Sequence, residues 1–286
     1  MTKQLYLLLS LMVLSTGLWA QATQLKDIYP GEEDGSPNRF FVDGDRVFFR
    51  ADSAEAGVEL WVTDGTPEGT LMVLDLNPGD TVAAGNSNPD EFIDYQGDIY
   101  FKARSNTSGT ELWTTDGTAE GTNQIADIQP GSGNGNPFDL VVYDGMLYFT
   151  ANDGENGSEF WSSDGTADGT TLVADIQMGG GSGNPGNAIV YGDRLILRAN
   201  DGVTGNELWI SDGTAEGTEL LRDIRTAGNG NSQPSQFTLY NGEVYFRAND
   251  GENGTELWKT DGTTEGTMMV KDINPGSGSS TPGNLF

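Results

Sequence analysis

The sequence predicts an all-β fold, a β-propeller of four-stranded antiparallel blades, on three observations. A segment of the form ELWxxDGTxEGT, or a close variant, occurs five times, at intervals of 52, 48, 48 and 49 residues. Each repeat contains four short apolar strings separated by turn residues. Beyond the first 20 residues, the longest run without Gly or Pro is 12 residues, from Asp45 to Ala56, which disfavours helices. Tandem units of about 48 residues with four strands are typical of propeller blades.

The fifth repeat illustrates the four strings. String A is Gln236 to Tyr240, and the Asn-Gly pair that follows favours a tight type I′ hairpin. String B, Glu243 to Ala248, alternates apolar and polar residues as a strand does. String C, Thr255 to Lys259, contains the tryptophan, and string D is Thr267 to Ile273. Because blades pack face to face, the Trp and the Leu of string C are expected to contact different neighbouring blades.

Five complete repeats are predicted, at about 37–79, 89–131, 137–180, 185–228 and 234–276. Residues 24–31 match string D and are predicted to form an isolated fourth strand, whereas 282–286 match the start of another string A. We therefore expect a truncated chain from a ring of six or more blades. A β-solenoid is the alternative architecture, but the short Gly-Asp repeat that it needs is absent from the sequence.

The first 20 residues have the features of a secretory signal peptide. Lys3 supplies the positive charge, Leu5 to Leu14 the apolar segment, and Ala20 the residue before cleavage. A buried N-terminal segment is the alternative. The propeller domain is then residues 21–286, which contain no Cys, so its stability cannot depend on disulfides. We expect this domain to be secreted or to lie on the outer cell surface, without inserting into a membrane.

The composition is strongly acidic. Asp and Glu number 43 against 14 Lys and Arg, giving a formal net charge of −29. Such a surface repels phosphate backbones and anionic lipids, so nucleic-acid and membrane-surface partners are not expected. The charge serves either solubility outside the cell or the attraction of cations.

The five copies resemble the ELWxxDGT repeat family of exported bacterial proteins. The resemblance extends from Leu25 to the end of the chain, and the third copy departs from it with Phe160 in place of Leu and Asp168 in place of Glu. The resemblance implies a secreted or surface-attached β-propeller-like protein, often with many repeats and a C-terminal sorting domain. It implies no defined catalytic activity.

The repeated segment is interpreted as a structural element, a buried third strand followed by a turn. Its tryptophans are predicted to be buried; they are Trp61, Trp113, Trp161, Trp209 and Trp258. The aspartates of the turn are predicted to accept backbone N–H groups as in Asx turns; they are Asp64, Asp116, Asp164, Asp212 and Asp261. The alternative is Ca²⁺ held by pairs such as Asp116 and Glu120, although two carboxylates are few for an ion that takes 6–8 oxygens.

Successive turns of an antiparallel blade alternate between its two ends. The turns between strings B and C therefore share one face with the connectors between string D and the next string A. Loops vary most on this connector face, where we expect ligand contacts by Asn152, Asp153, Asn200, Asp201, Asn249 and Asp250. Ca²⁺ sites are predicted at Asp153, Glu155 and Glu159, and at Asp250, Glu252 and Glu256. Ordinary Asn-Asp-Gly turn chemistry is the alternative, with Glu159 and Glu256 paired to Arg.

Three functions follow in order of preference. The first is a non-enzymatic binding or adhesion propeller for an extracellular glycan or protein. The second is a Ca²⁺-stabilised structural repeat without a ligand of its own. The third is a carbohydrate-active enzyme using paired carboxylates; the sequence contains neither His nor Cys, so triads and thiol nucleophiles are excluded and no catalytic residue is predicted.

Overall fold

The structure, a computed structural model, describes residues 24–79, 85–226 and 230–283. In these ranges every regular element is a β-strand, and no helix is long and apolar enough to cross a membrane. The 20 strands form five antiparallel sheets of four strands, each in simple up-and-down order. This all-β architecture confirms the predicted propeller-like fold.

Each sheet is one sequence repeat. The first contains β1 (Asn38–Asp43), β2 (Arg46–Ser53), β3 (Gly57–Thr63) and β4 (Leu71–Leu74). The second contains β5 (Asp90–Tyr95), β6 (Asp98–Ser105), β7 (Gly109–Thr115) and β8 (Asn123–Ala126). The third contains β9 (Phe138–Tyr143), β10 (Met146–Asn152), β11 (Ser158–Ser163) and β12 (Thr171–Ala174).

The last two sheets repeat this plan. The fourth contains β13 (Gly186–Tyr191), β14 (Arg194–Asn200), β15 (Asn206–Ser211) and β16 (Glu219–Arg222). The fifth contains β17 (Ser235–Tyr240), β18 (Glu243–Asn249), β19 (Thr255–Thr260) and β20 (Met268–Lys271). The predicted strings A to D of this repeat therefore correspond to its four strands. Asn241 and Gly242 adopt φ of 51° and 80°, as the predicted type I′ turn requires.

The first strand of each sheet lies at the centre of the assembly. Consecutive sheets approach each other through these strands, which link β1 to β5, β5 to β9, β9 to β13 and β13 to β17. Towards the periphery, the second and third strands supply most of the buried core. The five sheets are thus arranged like propeller blades around a central wall of first strands.

Neighbouring sheets are joined by the Leu and the Trp of the repeated segment. Leu112 of the second sheet packs with Phe149, Ala151 and Trp161 of the third. Ile128, which follows β8, completes this cluster. Each of the other three junctions pairs a third-strand Leu or Phe with the Trp of the following sheet. The prediction that the two side chains contact different blades is confirmed.

Residues 24–31 do not form the predicted isolated fourth strand. They pair with no described strand, since every described third strand already pairs with the fourth strand of its own sheet. Ile28 nevertheless packs on Phe49, Ala51 and Trp61 of the first sheet, as Ile128 packs on the third. At the other end, residues 282–283 form no strand, and 284–286, like the predicted signal peptide, lie outside the described residues.

Candidate functional site

A buried glutamate begins the repeated segment in every sheet, and it holds the connector that follows that sheet. The Glu111 carboxylate accepts the backbone N–H of Ile128 at 3.0 Å and that of Gly135 at 2.7 Å. Its side chain has no exposed surface. A methyl group on Gly135 would lie 2.4 Å from the carboxylate, which explains the glycine there. The connector leading to the next first strand is therefore fixed by a side chain from the third strand.

The same arrangement recurs in the other four sheets. Glu59, Glu159, Glu207 and Glu256 each accept two backbone N–H groups of the following connector. Where the connector has serine in place of Gly135, the serine hydroxyl donates a third hydrogen bond of 2.6 Å; this applies to Ser87, Ser232 and Ser280. The five glutamates thus act as clamps between each sheet and its connector.

Burial controls the ionisation of these carboxyls. Desolvation raises the pKa of Glu59 and of Glu111 to about 7, because it outweighs the hydrogen bonds that favour the charged form. The pKa of Glu159 and of Glu207 is raised for the same reason. For Glu256, burial acts in that direction too, but the hydrogen bonds from Ser280 and Ile273 lower the pKa.

We expect the free energy of unfolding to fall as the pH rises from 5 to 8. A carboxyl with a folded pKa near 7 contributes its full stabilisation below the ordinary value of 4.5 and loses it as the pH passes 7. Shifts of this order are worth about 1–3 kcal/mol per carboxyl. Urea unfolding at constant ionic strength measures the change, because urea is uncharged and does not screen the carboxylates.

The control for this pH dependence is Glu111→Gln, which removes one titrating group from a chain of formal net charge −29. General charge repulsion persists in the variant, so the difference between its pH slope and that of the parent isolates Glu111. Identical slopes would contradict the assignment.

The DGT turns adopt the structure that the sequence predicts. Asp116 Oδ1 accepts the Thr118 backbone N–H at 2.8 Å and its hydroxyl at 2.7 Å, and these bonds lower the pKa of Asp116. A methyl group on Gly121 would lie 2.1 Å from the same carboxylate. The aspartate pattern recurs at Asp64, Asp164, Asp212 and Asp261. The five tryptophans at the start of these segments are all buried.

The two faces of the assembly differ as expected from the strand order. On one face, the β1–β2 turn contacts the DGT turn of the second sheet, where Arg46 donates to the Asp116 carbonyl at 2.6 Å. On the opposite face, the backbone N–H of Asn152 donates to the carbonyl of Gly135 in the preceding connector at 2.9 Å. This second surface, made of the turns between second and third strands and the connectors between sheets, is the connector face.

The Asn and Asp residues predicted to bind ligand on the connector face stabilise its turns. Asn152 accepts the Gly154 N–H at 2.7 Å, and Asp153 accepts those of Glu155 and Asn156. Partial burial opposes ionisation of Asp153, but these hydrogen bonds keep its pKa below the ordinary value. Equivalent turn bonds occupy Asn200, Asp201, Asn249 and Asp250.

The residues of each predicted Ca²⁺ site make hydrogen bonds to different parts of the backbone. Glu159 and Glu256 hold connectors through backbone N–H groups, in place of the predicted arginine pairs. Asp153 and Asp250 belong to turns, next to Glu155 and Glu252. Within the three described ranges, no three acidic side chains are grouped as they would be to hold a metal ion. A Ca²⁺ site at these residues stays a prediction.

A row of cations lies near the centre of the connector face. The residue nine positions before each clamp glutamate is Arg or Lys in four sheets and Thr in one; the five are Arg50, Lys102, Thr150, Arg198 and Arg247. All five lie on second strands, opposite the start of the central first strand. Four of the chain's 14 basic residues therefore share one structural position.

The first strands carry a matching row of polar residues. The second residue of each has a positive φ of 54–61° at an irregularity in strand pairing; these residues are Arg39, Glu91, Asp139, Asn187 and Gln236. Glu91 accepts the backbone N–H of Asp139 at 3.0 Å, and Asp139 accepts that of Asn187 at 3.1 Å. These bonds join consecutive sheets, and such strained backbone often marks functional positions.

The two rows enclose a cavity of about 440 Å³ between the fourth and fifth sheets. Arg198 and Arg247 lie on its walls with Asn187 and Gln236. The other lining residues are Ser232, Gln233, Ser235, Thr255 and Thr281. The nine described lining residues are all of polar types, and they include two positive charges and no acidic side chain. This cavity is the candidate functional site.

A larger groove of about 610 Å³ lies between residues 24–37 and the first sheet. The groove lies on one face of the first sheet. In each of the other sheets, the equivalent face packs against the preceding sheet. The apolar lining of the groove, including Ile28, Phe40 and Phe49, is accounted for by this repeated packing.

The candidate cavity lies on the connector face, where ligand contacts are predicted, but none of the six residues predicted to make them lines it. The Asn-Asp-Gly turns carry oxygen atoms that could act as ligands, but these side chains accept hydrogen bonds from backbone N–H groups of their own turns. The cation row was detectable, because Arg50, Lys102, Arg198 and Arg247 all precede a repeated glutamate by nine residues. Their contact with the central first strands depends on the arrangement of sheets.

Comparison with solved structures supports the fold class. A prolyl endopeptidase structure matches with a TM-score of 0.50 and 14% identity, over 85% of this chain and 36% of that one. A puromycin hydrolase matches with a TM-score of 0.49 and 13% identity, over 82% and 46%. The computationally designed protein Ika8 gives 0.44 and 13%, over 85% and 64%. The chain thus spans less than two thirds of each of these proteins.

At such low identity, the prolyl endopeptidase match supports a β-propeller-like fold and nothing about activity. No protein-family model matches the chain, and no curated protein sequence matches it. The class of protein is therefore a β-propeller-like repeat protein. Membership of the ELWxxDGT repeat family stays a prediction.

Proposed function

We propose that this protein is a non-enzymatic, secreted or surface-exposed binding module, and that its ligand is a glycan bound at the connector face. The observation that carries the proposal is the cavity between the fourth and fifth sheets, whose described lining residues are all of polar types. Its amide and hydroxyl side chains are suited to hydrogen bonds with a polyhydroxylated ligand. A peptide ligand would be expected to need apolar contacts as well.

The repeat supplies a second argument. Residues that maintain the blades, such as the clamp glutamates, are the same in all five sheets. The central positions of the first strands instead change from Arg39 to Glu91, Asp139, Asn187 and Gln236. The residues of the site therefore differ from sheet to sheet, whereas the framework around them is constant. This difference is consistent with ligand binding at one or a few of the sheets. The sequence-based arguments against a catalytic triad or thiol chemistry favour binding over catalysis.

The test is binding of the full chain to a panel of extracellular polysaccharides, measured by affinity electrophoresis and by calorimetry with oligosaccharides. Gln233 is exposed on the connector with φ of 52°, and its side chain lines the cavity. We expect Gln233→Trp to fill the cavity and to weaken glycan binding at least tenfold, an effect of about 1.4 kcal/mol.

A matched control is provided by Gln96, which is also exposed, has φ of 58° and lies in the β5–β6 turn on the opposite face. Gln96→Trp is expected to bind as the parent chain does. Equal loss in both variants, or failure of every polysaccharide to bind the parent, would contradict the proposal.

A further inference from the structure

The geometry points to a carboxylate as the group recognised in this cavity, so we propose that the ligand is a uronate-containing saccharide held by Arg198 and Arg247. This inference rests on the proposed glycan-binding function and assigns its chemical class. The charge of the cavity is opposite in sign to that of the chain, whose formal net charge is −29.

Two of the three cations that the first two sheets place on this wall have acidic partners. Arg39 lies 3.3 Å from Asp90, and Lys102 lies 3.9 Å from Glu91. Arg50, in the first sheet, donates to Asn38 at 2.7 Å. The positive charge of this part of the central wall is therefore largely neutralised by neighbouring first strands.

Arg198 and Arg247 have a different environment. Over the described ranges, neither guanidinium forms a salt bridge. The Nε of Arg198 is buried without a hydrogen-bond partner, whereas that of Arg247 donates to the Ser235 hydroxyl at 3.0 Å. A half-buried guanidinium without a counter-charge is costly, and an oxyanion in the cavity would offset that cost.

The difference in charge between the earlier sheets and the last two arises from residues of the first strands. At the position of Glu91 and Asp139, the fourth and fifth sheets have the neutral residues Asn187 and Gln236. The cations are thus retained where the acidic partners are replaced by amides. Repeat geometry alone does not require this combination, because the second and third sheets satisfy the same geometry with the acids Glu91 and Asp139.

Carboxylate suits this site better than a group of higher charge. The planar fork of arginine forms paired hydrogen bonds with a carboxylate, and the amides and hydroxyls of the lining can bind sugar hydroxyls. The cavity of about 440 Å³ is within the size range of small-ligand sites. A single carboxylate also meets less repulsion from the acidic surface than a phosphate monoester would, since the monoester carries close to two negative charges.

The test uses calorimetric titration of the full chain with trisaccharides of galacturonate and mannuronate, and with their neutral counterparts of galactose and mannose. We expect at least one uronate to bind at least tenfold more tightly than its neutral counterpart. Arg198→Gln and Arg247→Gln are each expected to weaken its binding at least tenfold, and Arg247→Lys to restore part of the affinity. Thermal melting of each variant verifies that it is folded.

Lys271→Gln is the charge-matched control, because Lys271 is exposed at the end of β20 and does not line the cavity. It should leave uronate affinity unchanged. Inorganic phosphate that competes as well as the uronate would overturn the carboxylate assignment.

The outcomes also separate this inference from the proposed function. Neutral saccharides that bind as tightly as uronates, and lose affinity in Gln233→Trp but not in Arg198→Gln, would refute the inference and leave glycan binding intact. If no saccharide binds, both are refuted.

Discussion

Glu111→Ala is expected to lower the free energy of unfolding by about 3–5 kcal/mol, since it leaves two buried donors without an acceptor. The N–H groups of Ile128 and Gly135 both lose the same carboxylate. Water cannot readily replace the carboxylate, because the Glu111 side chain that the substitution removes has no exposed surface. Guanidinium unfolding followed by tryptophan fluorescence measures the change.

A glutamate from the same repeated segment serves as the control. Glu120 lies in the DGTAEGT turn and is exposed, and only its backbone carbonyl accepts a hydrogen bond there. Glu120→Ala should change stability by no more than about 0.5 kcal/mol, as is usual for surface substitutions. Equal effects of the two substitutions would show that the clamp makes no special contribution.

Trp113→Ala is the second substitution with a large expected effect, a loss of about 3–5 kcal/mol. Trp113 packs with Phe48 and Leu60 of the first sheet and with Phe101 of its own. Removing the indole leaves a cavity at the junction between two sheets, so both lose apolar contacts. The loss is measured by guanidinium unfolding monitored by circular dichroism.

Met178→Ala is the corresponding control, because this large apolar side chain is 89% exposed in a connector. We expect it to unfold at the same denaturant concentration as the parent. A destabilisation by Trp113→Ala no greater than that by Met178→Ala would be inconsistent with packing of the tryptophan between blades.

The blade itself follows from local sequence patterns. Asn241-Gly242 specifies a tight turn, since both residues adopt positive φ without the strain that other pairs would incur. The alternation of Val244, Phe246 and Ala248 places one face of β18 against the fourth sheet. The pairing of Leu and Trp in the third strand also predicts contacts with two neighbours. Such short-range signals are sufficient for four strands and their turns.

Other features depend on contacts that periodicity does not specify. Residues 24–31 match a fourth strand in sequence but remain unpaired, since strand pairing requires a free partner edge. Glu159 resembles a metal ligand beside Asp153 and Glu155. In the structure it accepts N–H groups of Ile176 and Gly183, which are 17 and 24 residues away.

By itself, the sequence determined the repeat, the four-stranded blade and the face on which loops vary, because these depend on residues close together in the chain. The tertiary structure decided which residues form the candidate site. Arg198 and Arg247 are 49 positions apart and belong to different sheets, yet both line one cavity. Their proximity and their lack of acidic partners arise from sheet packing, since the charge of a site depends on neighbours contributed by separate blades.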